Sequence, residues 1–197
     1  MKLLDITYVA LLAAFMGALG FVPPIMLSFT PVPITLQTLG VLLAGGLLGA
    51  KRGAWSMIIF LLLVAAGAPL LSGGRGGFAV FVGPSAGYLI SWPITACCLG
   101  YLISRFSKLR FGRILFINLT VGILMMYLIG IPVQAYIMHI KLTDAIITSL
   151  IYIPGDILKA TLASYLVYRL AKSPAIKRNL QKENSPTGEL LRAKKEA

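Results

Sequence analysis

Apolar positions in this chain do not alternate with polar ones. They come in long, nearly unbroken runs, separated by short clusters of Pro, Gly and basic residues. A run of about 20 apolar residues is what an α-helix needs to cross the hydrocarbon core of a bilayer. On that criterion the chain predicts spans over Ile6–Leu27, Thr35–Ala50, Ala54–Leu70, Pro84–Ser104 and Ile114–Met138. The stretch from Leu142 to Leu170 is too long for one straight span and is interrupted by Ile153-Pro154-Gly155-Asp156. It predicts a short approach helix, a break, and a sixth span from about Pro154 to Ala171. Proline is tolerated there because the first turn of a helix leaves its N–H groups unpaired in any case. The expected fold is an all-α integral membrane protein: a bundle of six transmembrane helices over residues 1–172, with a basic tail over 173–197.

Composition removes the alternatives. The 197 residues are 58% hydrophobic and only 12% charged, against about 25% charged in a typical soluble domain. Such a chain cannot cover itself with a water-compatible surface. A soluble enzyme, a disordered regulator and a secreted disulfide scaffold are thereby excluded. Cys97 and Cys98 are adjacent within an apolar run and His139 is the sole histidine, a pattern that fits neither a disulfide framework nor a metal site.

The formal charge of +12 would point to nucleic acid on a soluble protein. In a membrane protein the positions of the basic residues matter more, because they report orientation. The N-terminus, the second–third and fourth–fifth connections and the tail together hold 15 Lys and Arg, whereas the opposite connections hold two, Arg75 and Lys141. Both termini are therefore expected in the cytoplasm. The tail reads as disordered and basic enough to attract anionic lipid headgroups, and no nucleic-acid partner is expected. The opening segment reads as a retained span rather than a cleaved signal peptide, since its apolar run is long and Lys2 is a weak basic region.

With that orientation, two outward segments differ from ordinary connections. The first, Ser28–Gln37, is uncharged and stiffened by Pro31 and Pro33, and the second, Leu71–Pro84, is rich in glycine. Both read as loops that fold back onto the helices and cap a ligand pocket, since irregular backbone at membrane depth needs protein or a cavity around it. Asp156 and Lys159 are the ionisable residues well inside the sixth span. Each costs roughly 2.5–3.5 kcal/mol at a helix centre. Their i, i+3 spacing puts them on one helix face, either as a self-contained ion pair or as a binding site. Gln37 can donate or accept, and Phe78, Phe81, Tyr88 and Tyr152 are candidate walls. The pocket suits a small, largely apolar ligand with a few fixed polar atoms.

No phosphate-binding loop is present: Gly49-Ala50-Lys51-Arg52 lacks both the spacing and the hydroxyl. Active transport would draw its energy from a partner or an ion gradient. Ala10, Ala14 and Ala18 recur every four residues along the first span, and such stripes let helices approach closely in lipid. Gly45/Gly49 and Gly46/Ala50 repeat the pattern in the second span.

Four strings carry a resemblance: Pro31–Gln37 with the following Leu43–Gly49, Gly73-Gly-Arg-Gly-Gly77, Gly83-Pro-Ser-Ala-Gly87, and Ile153–Lys159. In this order and at these spans the chain, from about Tyr8 to Leu170, resembles the BioY family. These are the biotin-specific substrate-binding (S) components of energy-coupling-factor (ECF) vitamin transporters. The resemblance implies a six-helix bundle that binds biotin from outside, with Asp156 and Lys159 on the ligand. The ureido ring has two N–H donors and one carbonyl, which a carboxylate and an ammonium complement. Gln37, Gly74, Arg75, Gly77, Phe78, Tyr88 and Tyr152 complete the expected substrate-binding set, with Arg75 or loop amides meeting the valerate carboxylate. It further implies that Ala10, Ala14 and Ala18 dock to a transmembrane T component, and that two ABC-type ATPase subunits hydrolyse the ATP, so that this chain holds no cofactor. The other readings are an S component for a different small vitamin, a solitary biotin carrier and, remotely, an intramembrane aspartyl protease built on Gly155-Asp156 with Asp5 or Asp144.

Overall fold

The computed structural model describes residues 3–28, 30–106 and 109–173. Phe29, Lys108 and the tail from residue 174, together with Lys2, lie outside the described residues. Helix α1 spans Leu3–Gly20 and buries Val9, Ala13, Met16, Gly17 and Gly20 on one face. It stops seven residues short of the expected Leu27, because Pro23 and Pro24 cannot continue a helix. The chain then forms an antiparallel hairpin of β1 (Ile25–Leu27) and β2 (Thr30–Ile34), pairing Ile25 with Ile34 and Leu27 with Thr30. This small sheet departs from the all-α expectation. Pro31 and Pro33 fit β2 because a two-stranded sheet leaves one side of each strand unpaired.

Helix α2 (Gln37–Ala65) covers most of the second and the third expected spans in one element. It is not straight. Gly49 has φ +81° and ψ −175°, a conformation essentially restricted to glycine. Beyond it the chain folds back, so that a methyl on Gly53 would lie 2.8 Å from the Ala44 carbonyl oxygen. In one straight helix those residues would be about 13 Å apart. The second arm ends at Ala65, short of the expected Leu70, and a loop with glycine at 73, 74, 76 and 77 leads to a 3-10 turn at Phe78–Phe81.

Helix α3 (Ala86–Ser104) crosses the hairpin of α2: a methyl on Gly45 would sit 2.7 Å from Leu99 Cβ, and Gly46 faces Val167. The small residues of the second span thus serve internal packing. Helices α4 (Phe111–Ile117) and α5 (Leu124–Met138) are joined without interruption by a π-helical turn, Asn118–Ile123. Asn118 Nδ2 donates to Ser164 Oγ at 2.9 Å and fastens that turn to the last helix. Helix α6 (Leu142–Ser149), a 3-10 turn at Leu150–Tyr152 and helix α7 (Ile153–Leu170) follow one another with helical backbone throughout, so the expected interruption at Ile153–Asp156 is instead the first turn of α7 and the change of helix type falls just before it.

Among the described residues, five helical stretches are long and apolar enough to cross a membrane: Leu3–Gly20, Gln37–Ala65, Ala86–Ser104, Phe111–Met138 and Leu142–Leu170. Leu11, Phe15, Leu62, Leu124 and Leu158 point outward, as side chains do when the solvent is lipid. The core runs between α2, α3 and α7, through Val41, Phe60, Leu99, Ala160 and Val167.

Candidate functional site

An open cavity lies at the end of the bundle where α1 stops and α3 and α7 begin. It holds about 630 Å³ of empty space, mouth included. Its walls come from β2, the start of α2, the glycine loop, α3, α5, Tyr152 and the start of α7.

Asp156 and Lys159 lie on its wall, 9% and 8% exposed, on the first two turns of α7. Asp156 Oδ1 accepts from Lys159 Nζ at 2.6 Å, and Oδ2 accepts from the Tyr127 hydroxyl at 2.6 Å. The remaining Lys159 protons go to Thr38 Oγ1 at 2.8 Å and the Thr35 carbonyl at 3.1 Å. The ammonium thus directs all three donors at protein, whereas the carboxylate uses two of its roughly four lone-pair sites. A buried pair is stable only when such further bonds compensate its desolvation. The first turn of α7 also favours the carboxylate through the helix dipole.

Tyr152 fastens the hairpin over this pair. Its hydroxyl donates to the Val32 carbonyl at 2.9 Å and lies 2.5 Å from Thr30 Oγ1. Tyr88 donates to Gln134 Oε1 at 3.1 Å, and its ring meets Tyr127 edge-on at 6.4 Å. Arg75 reaches the cavity from the glycine loop, with Nε donating to the Ser72 carbonyl at 3.3 Å. Partial burial lowers the Arg75 pKa from its ordinary value. No carboxylate among the described residues pairs with it.

Of the expected site residues, the structure brings Gln37, Arg75, Tyr88, Tyr152, Asp156 and Lys159 to one cavity. Gly74, Gly77 and Phe78 are not part of its wall. The two glycines supply left-handed backbone in the loop, at φ +70° and +82°, and have no side chain to present. Phe78 is 71% exposed and packs on Phe81 instead.

Sequence reasoning missed Tyr127, Met126, Trp92, Thr35 and Thr38, all on the wall. Trp92 packs on Phe60 with ring centroids 6.1 Å apart, and its buried Nε1 has no hydrogen-bond partner among the described residues. A hydroxyl or indole inside a long apolar run was the available signal for Tyr127 and Trp92. Their neighbours in space lie tens of residues away along the chain, so spacing could not reveal them. Ala10, Ala14 and Ala18 are exposed on the outer face of α1, away from α2. The aspartyl-dyad reading has no support in the described geometry: the Asp156 carboxylate is paired with Lys159 and Tyr127, while Asp5 pairs with Arg52 at 2.8 Å.

A model of the BioY family matches residues 1–175. The chain is 51% identical over 173 residues to the probable biotin transporter BioY of Bacillus subtilis (strain 168), covering 88% of this chain and 93% of that one. It is 45% identical over 168 residues to the biotin transporter BioY of Rhizobium etli, covering 82% and 90%. Among solved structures it is similar to the S-component for biotin from an ECF-type ABC transporter. The TM-score is 0.87 at 38% identity, over 91% of this chain and 96% of that one. With a family match over residues 1–175 and a relative 51% identical across most of both chains, the chain belongs to the BioY family.

Proposed function

We propose that this chain captures biotin from outside the cell with high affinity and is the substrate-binding S component of an ATP-driven ECF transporter. The observation that carries the reading is the buried Asp156–Lys159 pair on the wall of an open, mostly apolar cavity. The open lone pairs of Asp156 receive the ureido N–H groups. Lys159 turns one of its three donors from Thr35 or Thr38 to the ureido carbonyl. Tyr88, Tyr127, Tyr152, Met126 and Trp92 surround the fused rings, and Arg75 meets the valerate carboxylate. Gly74, Gly77 and Phe78 belong to the loop that covers the mouth.

The two arms of α2 cross the membrane separately in this reading, making six spans, with residues 1–172 as the membrane domain and both termini in the cytoplasm. The exposed Ala10, Ala14 and Ala18 dock to a T component, and two ABC-type ATPase subunits supply the energy. The chain is a transporter subunit, not an enzyme.

Equilibrium binding of biotin to the purified, detergent-solubilised protein tests this, beside Asp156→Asn and Lys159→Ala. Tight binding by the parent and a loss of roughly tenfold or more in both variants are expected, as for removal of a charge-assisted hydrogen bond. A folded parent that does not bind biotin overturns the assignment. Variants that bind as the parent does reduce the pair to a structural one.

A further inference from the structure

Gln37 lines the cavity and is 1% exposed, yet its carboxamide is committed to protein. Nε2 donates to the Leu70 carbonyl at 3.0 Å and the Met16 carbonyl at 3.2 Å. Oε1 accepts from the Ser72 backbone N–H at 3.2 Å and from the Ser72 hydroxyl at 3.3 Å. A primary amide has two N–H donors and two oxygen lone pairs, so every polar position is in use. The partners also set the amide's orientation, since the flipped group would face oxygen with oxygen.

Three of the four bonds flank Leu71. Leu71 and Arg75 exchange both of their backbone hydrogen bonds, at 3.0 and 3.2 Å, around a turn with Gly73 at φ +80° and Gly74 at φ +70°. Arg75 Nε is then held by the Ser72 carbonyl at 3.3 Å. One five-residue turn therefore connects Gln37 to the guanidinium at the cavity wall. The fourth bond reaches Met16, near the end of α1. At that seam Gly20 makes room: a methyl there would lie 2.0 Å from the Leu70 carbonyl oxygen and 3.1 Å from Gln37 Nε2.

The geometry assigns Gln37 a positioning role in place of a ligand contact: it fastens the glycine turn to the end of α1 so that Arg75 is aimed at the ligand's carboxylate. This rests on the biotin reading, and specifically on Arg75 meeting the valerate end. The side chain acts through Arg75, so its loss should appear as lost recognition of one end of the ligand, not as a uniform fall in affinity.

The experiment compares binding of biotin and of biotinol, its alcohol analogue, to the purified full chain in detergent. The parent, Arg75→Ala, Gln37→Leu and the double variant are measured. The parent should prefer biotin by roughly tenfold or more, the amount expected of a charge-assisted hydrogen bond. Arg75→Ala should abolish the preference. Gln37→Leu should abolish most of it while leaving biotinol binding within about threefold, a small free-energy change on the affinity scale. The double variant should show no further loss of preference beyond Arg75→Ala.

If Gln37→Leu is not recovered as folded protein, Gln37→Glu and Gly20→Ala carry the test. The first keeps the acceptor bonds to Ser72 and sets an oxygen against two carbonyls, and the second crowds the same seam outside the cavity. Both should lose the preference. An equal loss for both ligands makes Gln37 a direct contact or general scaffold and overturns the positioning role. A kept preference in the Gln37 variants overturns it as well, as does a parent that binds both ligands equally or an Arg75→Ala protein that still prefers biotin. A parent that binds neither ligand instead overturns the biotin reading.

Discussion

Tyr127 shows how one hydroxyl can govern a buried charge. Asp156 is 9% exposed on the cavity wall, and its second oxygen is satisfied by that phenol at 2.6 Å. A hydrogen bond to a charged group contributes about 1.5–3 kcal/mol, and its removal exposes the desolvation cost of the partner. Tyr127→Phe keeps the ring against Tyr88 and deletes only the donor. It should lower the thermal midpoint in detergent by several degrees and weaken biotin binding roughly tenfold. Unchanged stability and affinity would mean that the carboxylate finds another donor there. Asp156 and Lys159 were readable from the chain because two ionisable groups at i, i+3 inside an apolar span demand an explanation. Tyr127, Thr35 and Thr38 were not: tyrosine and threonine are common in such spans, and only their approach to α7 gives them a role.

At the scale of the element, the decisive feature is the turn at Gly49. Apolar patterning located two short spans here, and the structure joins them in one kinked helix, Gln37–Ala65. The backbone at φ +81° and ψ −175° is barred to residues with a Cβ. Gly100 of α3 packs onto the same spot, where an added methyl would lie 2.2 Å from the Gly49 carbonyl carbon. Gly49→Ala should therefore cost about 1–3 kcal/mol, measured as a fall in thermal midpoint and in yield of monodisperse protein. A variant as stable as the parent would show that the turn tolerates an ordinary residue. The opposite error occurred at α1, where continuous hydropathy concealed the helix end at Gly20 and the hairpin that follows. Hydropathy reports the solvent a segment sees, not its secondary structure, and a strand beneath a lipid-facing surface is as apolar as a helix.

Across the whole molecule, the charges divide by end of the bundle. Lys51, Arg52, Arg105, Arg110, Arg113, Arg169 and Lys172 lie at the end away from the cavity, and Arg75 and Lys141 at the cavity end. The basic end carries Tyr101 under Arg105 and Phe106 under Arg113, with the cation 4.7 and 4.3 Å from the ring centre. Aromatic rings and cations of this kind favour the membrane–water interface. In a background with Cys97 and Cys98 replaced by Ser, a cysteine at Lys141 should react with a membrane-impermeant maleimide in intact cells. A cysteine at Arg110 should react only after the cells are opened. The reverse pattern would invert the orientation and place the cavity mouth in the cytoplasm.

From residue order alone came the solvent, the number of apolar runs, the segregation of positive charge and the two residues that have no place in lipid unless they are used. These are one-dimensional properties: each depends on composition or on spacing within one helix. The tertiary structure decided which polar groups face each other across helices, that the chain doubles back at Gly49, and that Gln37 is spent on the glycine turn while Arg75 is left to face the cavity. Those outcomes depend on contacts between residues 35 and 124 positions apart, such as Ser72 with Gln37 and Lys159 with Thr35. A hydrogen bond of that kind is set by where two elements meet, and no local pattern in either element encodes it.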